Sequence, residues 1–286
     1  MTVPQAVFLI VGILVMGRVL IAWKEWRLLF PRSKVFLADP ADDGLAYEDV
    51  WFCAEDGANL HGWWFPHQDA RGVMLICHGN AGNISDRIWI PQDLQDVPLH
   101  KFLFDYRGYG KSCGYPSEKG TGKDVRAALE CIRQRWQGAT PVPVLLYGRS
   151  LGGGIAMQVA DAPEIRGVIL ESTFTSILEI GERDYPWLFP RLFCLNRYRS
   201  DLRIEAVRAP VLVAHSADDE VIPVDMGETL FRLAPNPWRF VPLTGSHDMA
   251  GWQTSPEYAA AVRAFFAEVM PAATSAATSA ATAVSE

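Results

Sequence analysis

The order of apolar and polar positions divides the chain into three stretches. Residues 6–23 read AVFLIVGILVMGRVLIAW, apolar except for Arg18. As a helix this run would extend about 27 Å, close to the roughly 30 Å hydrocarbon core of a bilayer. Arg18 sits off-centre, where a long side chain snorkels towards an interface, and Trp23 and Trp26 are interface markers. The leader MTVPQ has no positive charge and no A-x-A site follows, unlike a cleaved signal peptide. The pattern therefore predicts one N-terminal transmembrane helix. Lys24, Arg27, Arg32 and Lys34 all follow it, which by the positive-inside rule leaves the body on the cytoplasmic side.

From about residue 47 the pattern changes to short strand-like runs alternating with helical ones. Residues 50–54 and 60–65 flank an Asp56-Gly57 turn signal and predict an antiparallel hairpin. The runs 72–77 (GVMLIC), 101–105, 142–147 (VPVLLY), 167–170 and 210–214 are almost continuously apolar, as parallel strands buried on both faces require, with 239–242 a weaker one. Helical stretches are expected over 123–136, after Ser150 and over 255–270, the last amphipathic through Tyr258, Val262, Phe265, Phe266 and Val269. An antiparallel opening followed by alternating strands and helices predicts a doubly wound, mostly parallel sheet. Residues 272–286 (AATSAATSAATAVSE) are too small in side chain to offset chain entropy and are expected to be a disordered tail. The expected organisation is an anchor with a basic flank over 1–34, one α/β domain over 35–270 and the tail over 271–286.

Composition narrows the function. The 286 residues are 49% hydrophobic, enough for one large core, and the net charge of −7 without a basic block gives no nucleic-acid footprint. The five cysteines are scattered with no CxxC pair, so neither a disulfide framework nor a zinc site is expected, and a reducing compartment fits.

The chemistry concentrates at Gly148-Arg149-Ser150-Leu151-Gly152, a G-x-S-x-G. A strand runs directly into it and a helix out of it, the context in which a serine is lifted onto a sharp turn with its hydroxyl exposed. No G-x-G-x-x-G or G-K-[ST] phosphate loop is present. A serine hydroxyl needs a base. Of six histidines, only His247, in TGSHD, lies between the last strand and the last helix, where a loop can aim it at the sheet's carboxyl edge. The acid that orients it is expected in Asp218-Asp219-Glu220, just after the strand 210–214; the residues alone leave the choice among the three open. For the oxyanion, the backbone N–H of Leu151 and that of Asn80, after the turn at Gly79, are the expected donors. His78 is read as a structural loop residue.

Six motifs in order, HGN at 78–80, DYRGYGKS at 105–112, GRSLGG at 148–153, ESTFTS at 171–176, ADDEVIP at 217–223 and GSHD at 245–248, resemble an α/β-hydrolase-domain subgroup whose members carry an N-terminal membrane anchor and lack a large lid. The resemblance covers roughly residues 47–270. It implies an α/β-hydrolase fold and a serine hydrolase with triad Ser150, Asp219 and His247, because the family's acid lies two positions before the V-I-P valine. It also implies a structural role for the turn holding Asp105 and Arg107, and no metal or organic cofactor. One departure is Ser216, where the family has glycine. The expected activity is cleavage of a carboxylic ester or thioester of a small-molecule or lipid acyl substrate. An acyltransferase, a cofactorless haloperoxidase and a silent membrane-tethered binding protein are the alternatives. The apolar segment 185–195 (YPWLFPRLFCL) is either a buried packing helix or the lining of an acyl-chain groove.

Overall fold

The computed structural model describes residues 2–138 and 141–270. Among these, eight strands form one sheet in the order β1-β2-β4-β3-β5-β6-β7-β8. They are β1 (Glu48–Cys53), β2 (Asn59–Phe65), β3 (Val73–Cys77), β4 (His100–Asp105), β5 (Val144–Arg149), β6 (Ile165–Glu171), β7 (Val211–Ser216) and β8 (Pro237–Leu243). The first two pair antiparallel, β2 meets β4 antiparallel, and every later pairing is parallel. Each strand-like apolar run expected between residues 50 and 242 falls within or beside one of these strands.

Strand alternation builds two cores, one on each face. Leu75, Leu146, Leu170 and Val213 point to one side, where they meet Val125, Leu129 and Ile132 of α3 (Glu118–Arg135). Ile76, Tyr147, Ile169 and Leu212 point to the other, against Tyr258, Val262 and Phe265 of α9 (Pro256–Val269). All eight strand residues are buried, because a parallel sheet covered on both faces has no solvent side. The other helices after β1 are short: α2 (Trp89–Asp93), α4 (Leu151–Ala156), α5 (Ile177–Asp184), α6 (Pro190–Phe193), α7 (Ser200–Ile204) and α8 (Val224–Leu233).

The N-terminal apolar run is helical, within α1 (Val3–Leu29), about 40 Å long. The expectation of a bilayer-crossing segment over 6–23 is nonetheless corrected: among the described residues, no helix is long and apolar enough to cross a membrane. The last turns of α1 pack on the body. Leu29 and the following Phe30 lie in the core, Trp26 donates its indole N–H to the Pro116 carbonyl at 3.0 Å, and Glu25 accepts the backbone N–H groups of Leu195 and Asn196. Arg18 lies over the Phe193 ring and Lys24 over that of Tyr185. Arg18, Lys24 and Glu25 of the helix thus face protein partners. The expected tail over 271–286 lies outside the described residues.

The segment 185–195 is not the buried helix that was one of its two readings. Prolines 186 and 190 break it into a single 3₁₀ turn (Pro186–Leu188) and α6, and Trp187, Phe189 and Leu192 are exposed.

Candidate active site

Strand β5 ends at Arg149, α4 begins at Leu151, and Ser150 is the single residue between them. Its backbone sits at φ 53°, ψ −123°, a region a non-glycine residue rarely occupies. Two hydrogen bonds hold it there. Its N–H donates to the Glu171 carbonyl at 2.9 Å, and its own carbonyl accepts the Thr173 hydroxyl at 2.7 Å. The turn also requires bare backbone alongside. A Cβ on Gly152 would lie 2.0 Å from the Cys77 carbonyl oxygen, and one on Gly148 2.7 Å from that of Gly152.

The residues expected to act with Ser150 are brought to it. The Ser150 Oγ is 3.0 Å from His247 Nε2, and His247 Nδ1 is 2.7 Å from Asp219 Oδ2, across 97 and 28 positions of chain. Both His247 and Ser150 are largely buried. Burial alone would raise the Asp219 carboxyl. Hydrogen bonds from His215, His247 and the Ile222 N–H outweigh it and hold the group well below the usual carboxylate range. Asp219 Oδ1 accepts the N–H groups of Val221 and Ile222 at 2.9 and 2.8 Å, which leaves Oδ2 to face the imidazole.

The other two carboxylates of the acidic run cap backbone in the loop that carries His247. Asp218 accepts the Gly245 N–H at 3.1 Å, and Glu220 accepts the His247 N–H at 3.0 Å. Ser216, at the family's glycine position, donates its hydroxyl to the Gly245 carbonyl at 2.6 Å and accepts the Asp218 N–H. The departure therefore adds a tie between the two loops.

Leu151 and Asn80 both border the same groove as Ser150. The Leu151 N–H is the first of α4 and has no partner within the helix. Among the described residues the Asn80 N–H donates no backbone hydrogen bond, and the Asn80 carbonyl, in the following peptide, accepts the Tyr109 hydroxyl at 2.8 Å. The groove has a volume of about 420 Å³ and a wall of Ile21, Leu28 and Leu29 from α1 with Phe174, Ile177, Leu188 and Phe193.

His78 is away from this chemistry. It is fully buried and stacked on Tyr106, its Nδ1 is 2.7 Å from the Gly79 carbonyl, and burial pushes its pKa down to about 3. Asp105 accepts the Ile84 N–H, and Arg107 bridges Asp124 and Asp56. Three contributors escaped the sequence reading. Arg149 donates to the His247 carbonyl at 2.7 Å and pairs with the fully buried Glu171 at 2.9 Å, and His215 lies 3.4 Å from Asp219. Arg149 occupies the variable position of G-x-S-x-G, which carries no signal of its own. Among the described residues no cluster of His, Cys, Asp or Glu has the makings of a metal site.

The model of the family described as serine aminopeptidase, S33, matches residues 68–192, which include the Ser150 turn. An uncharacterized protein of Mycobacterium tuberculosis is 36% identical over 239 residues, covering 82% of this chain and 85% of its own. The alpha/beta hydrolase domain-containing protein WAV2 of Arabidopsis thaliana is 35% identical, covering 74% and 76%. The lysophosphatidylserine lipase ABHD12 of Danio rerio is 30% identical, covering 69% of this chain and 62% of its own. In structure, an esterase of Pyrococcus furiosus superposes with a TM-score of 0.70 over 84% of this chain and 97% of its own, at 20% identity. With the sheet order, the turn at Ser150 and 35% identity to WAV2 over 74% of this chain and 76% of that one, the protein belongs to the α/β-hydrolase superfamily.

Proposed function

We propose that this hydrolase-family protein is a serine hydrolase that cleaves carboxylic esters or thioesters through an acyl-enzyme on Ser150. The observation that carries the reading is the continuous relay Ser150 Oγ, His247, Asp219 at 3.0 and 2.7 Å. In this account His247 Nε2 takes the hydroxyl proton as Oγ bonds to the acyl carbon. The carbonyl electrons move onto oxygen, facing the Leu151 and Asn80 N–H groups. The carbonyl re-forms as the bond to the leaving oxygen or sulfur breaks, and His247 gives that atom the proton. Water then attacks the acyl-enzyme with His247 again as base. Asp219, held ionised, keeps the Nδ1 proton in place and stabilises the imidazolium.

The apolar groove beside Ser150 supports an acyl chain as the part of the substrate bound there. The relative named as a lysophosphatidylserine lipase is in keeping with a lipid substrate. The same α1 that lines the groove exposes Phe8, Leu9, Ile13, Leu14, Val15 and Met16, and α6 beside it exposes Leu192. Membrane association through this surface, without crossing the bilayer, is part of the proposal, with the body on the cytoplasmic face as its five free cysteines favour. The test is a panel of p-nitrophenyl esters, acyl thioesters and lysophospholipids of graded chain length, run with the Ser150→Ala variant. Turnover that rises with chain length and vanishes in the variant is expected. Equal turnover by the variant would refute the reading.

A further inference from the structure

A second cavity, of about 360 Å³, shares no lining residue with the apolar groove. Its wall includes Ala81, Arg149 and Asp248, each next in the chain to Asn80, Ser150 or His247. Its wall therefore follows the oxyanion loop and the His247 loop, one residue along the chain from the reacting groups. The groove adjoins them from the side of α1 and α5. An ester placed across Ser150 with its acyl chain in the groove leaves its alcohol part for this second cavity, where His247 would protonate the departing oxygen.

The cavity is charged, and its charges are of both signs. Arg87, Arg149, Asp86 and Asp248 all line it. Two of the four are already engaged: Arg149 pairs with Glu171 at 2.9 Å, and Asp86 accepts the Asn83 N–H at 2.9 Å. The other two have capacity left over. Arg87 donates to the carbonyls of Asp86 and Ala81, but its Nε–H is sealed from solvent without a partner, and the residue joins no ion pair among the described residues. Burial and the nearby Arg149 charge lower its pKa, an imbalance that a bound negative group would relieve. The Asp248 side chain, exposed to solvent, makes no hydrogen bond or ion pair among the described residues, although it feels both guanidinium charges. A buried donor left without a partner costs free energy, and a guanidinium edge is shaped for a phosphate or carboxylate. An anion alone would face Asp86 and Asp248, and a cation alone would face Arg87 and Arg149. A group with both centres meets each with its complement.

We propose that this cavity receives the leaving group of the substrate, and that Arg87 and Asp248 select an alcohol carrying an anionic and an ammonium centre together. The proposal rests on the acyl-enzyme reading of Ser150 and specifies the class of ester that reading would cleave. Three substrates with one acyl chain test it on the full chain: lauroylglycerol, lauroyl lysophosphatidic acid and lauroyl lysophosphatidylethanolamine. The expected order of kcat/KM places the ethanolamine ester first, by about tenfold or more over lauroylglycerol, the worth of one charge-assisted hydrogen bond. Arg87→Gln lowers both phosphate esters relative to lauroylglycerol by about tenfold, and Arg87→Lys restores part of that ratio. Asp248→Asn brings the ethanolamine ester down to the phosphatidic one. Wild-type protein that cleaves all three alike, or ratios unmoved by both variants, overturns the proposal. Failure of the Ser150 reading is a separate result: hydrolysis that survives in Ser150→Ala, or no hydrolysis of any of the three. In that event binding to the Ser150→Ala protein decides. Tighter retention of the ethanolamine lipid than of lauroylglycerol, lost in Arg87→Gln, upholds the cavity's role, and equal retention overturns it.

Discussion

Arg149 ties the strand that carries Ser150 to the loop that carries His247, since one guanidinium reaches both the buried Glu171 carboxylate and the His247 carbonyl. Removing one member of a buried ion pair leaves the other charge without compensation. Arg149→Met is therefore expected to destabilise the fold by about 3–5 kcal/mol, read as a lower urea midpoint, with Arg149→Lys milder. An unchanged midpoint would show that Glu171 is neutral in the folded protein. The acidic run discriminates as sharply. Asp219→Asn presents an amide to His247 Nδ1, disfavours the needed tautomer and is expected to lower kcat by about four orders of magnitude. Asp218→Asn keeps an oxygen able to accept the Gly245 N–H and is expected to cost less than about tenfold. A reversal of that ranking would move the orienting acid to Asp218.

At the scale of elements, the strands were legible because burial on both faces writes itself as an unbroken apolar run. GVMLIC and VPVLLY became β3 and β5 with boundaries shifted by no more than two residues. The elbow was legible for a related reason, since the close approach of strand, turn and helix excludes side chains at Gly148 and Gly152. The connections between β6 and β7 were not. There α5 to α7 are short, broken by prolines and partly exposed, so no helical period builds up in the sequence. The docking of α1 was hidden too, because Glu25 finds Leu195 and Asn196 about 170 positions away. Apolarity in its first half and attachment in its last turns make α1 a composite element. Deletion of residues 1–19 should abolish binding to anionic vesicles while leaving the core contacts of Trp26, Leu29 and Phe30, and hence a folded, active protein. Vesicle sedimentation of the truncated protein at the full-length level would place the membrane contact elsewhere.

Across the whole molecule, stability and catalysis meet at the carboxyl edge of the sheet. His78 lies beneath the oxyanion loop, and its pKa is about 3 when folded, against an unperturbed value near 6.5. Between those values the unfolded chain binds the proton and the folded one does not, so stability rises with pH across that window and falls as pH drops through it. Urea midpoints measured from pH 7 to pH 4 should decline, and less steeply in His78→Gln; parallel slopes would remove His78 from the account. The triad, the loop ties and the two cavities make one further commitment, that Ser150 is the nucleophile. Treatment of the purified chain with a fluorophosphonate probe, followed by intact mass and peptide mapping, tests it most directly. The account predicts a single adduct on Ser150, absent from both Ser150→Ala and denatured protein. An adduct of equal yield on the alanine variant, or one mapped to another residue, would contradict it.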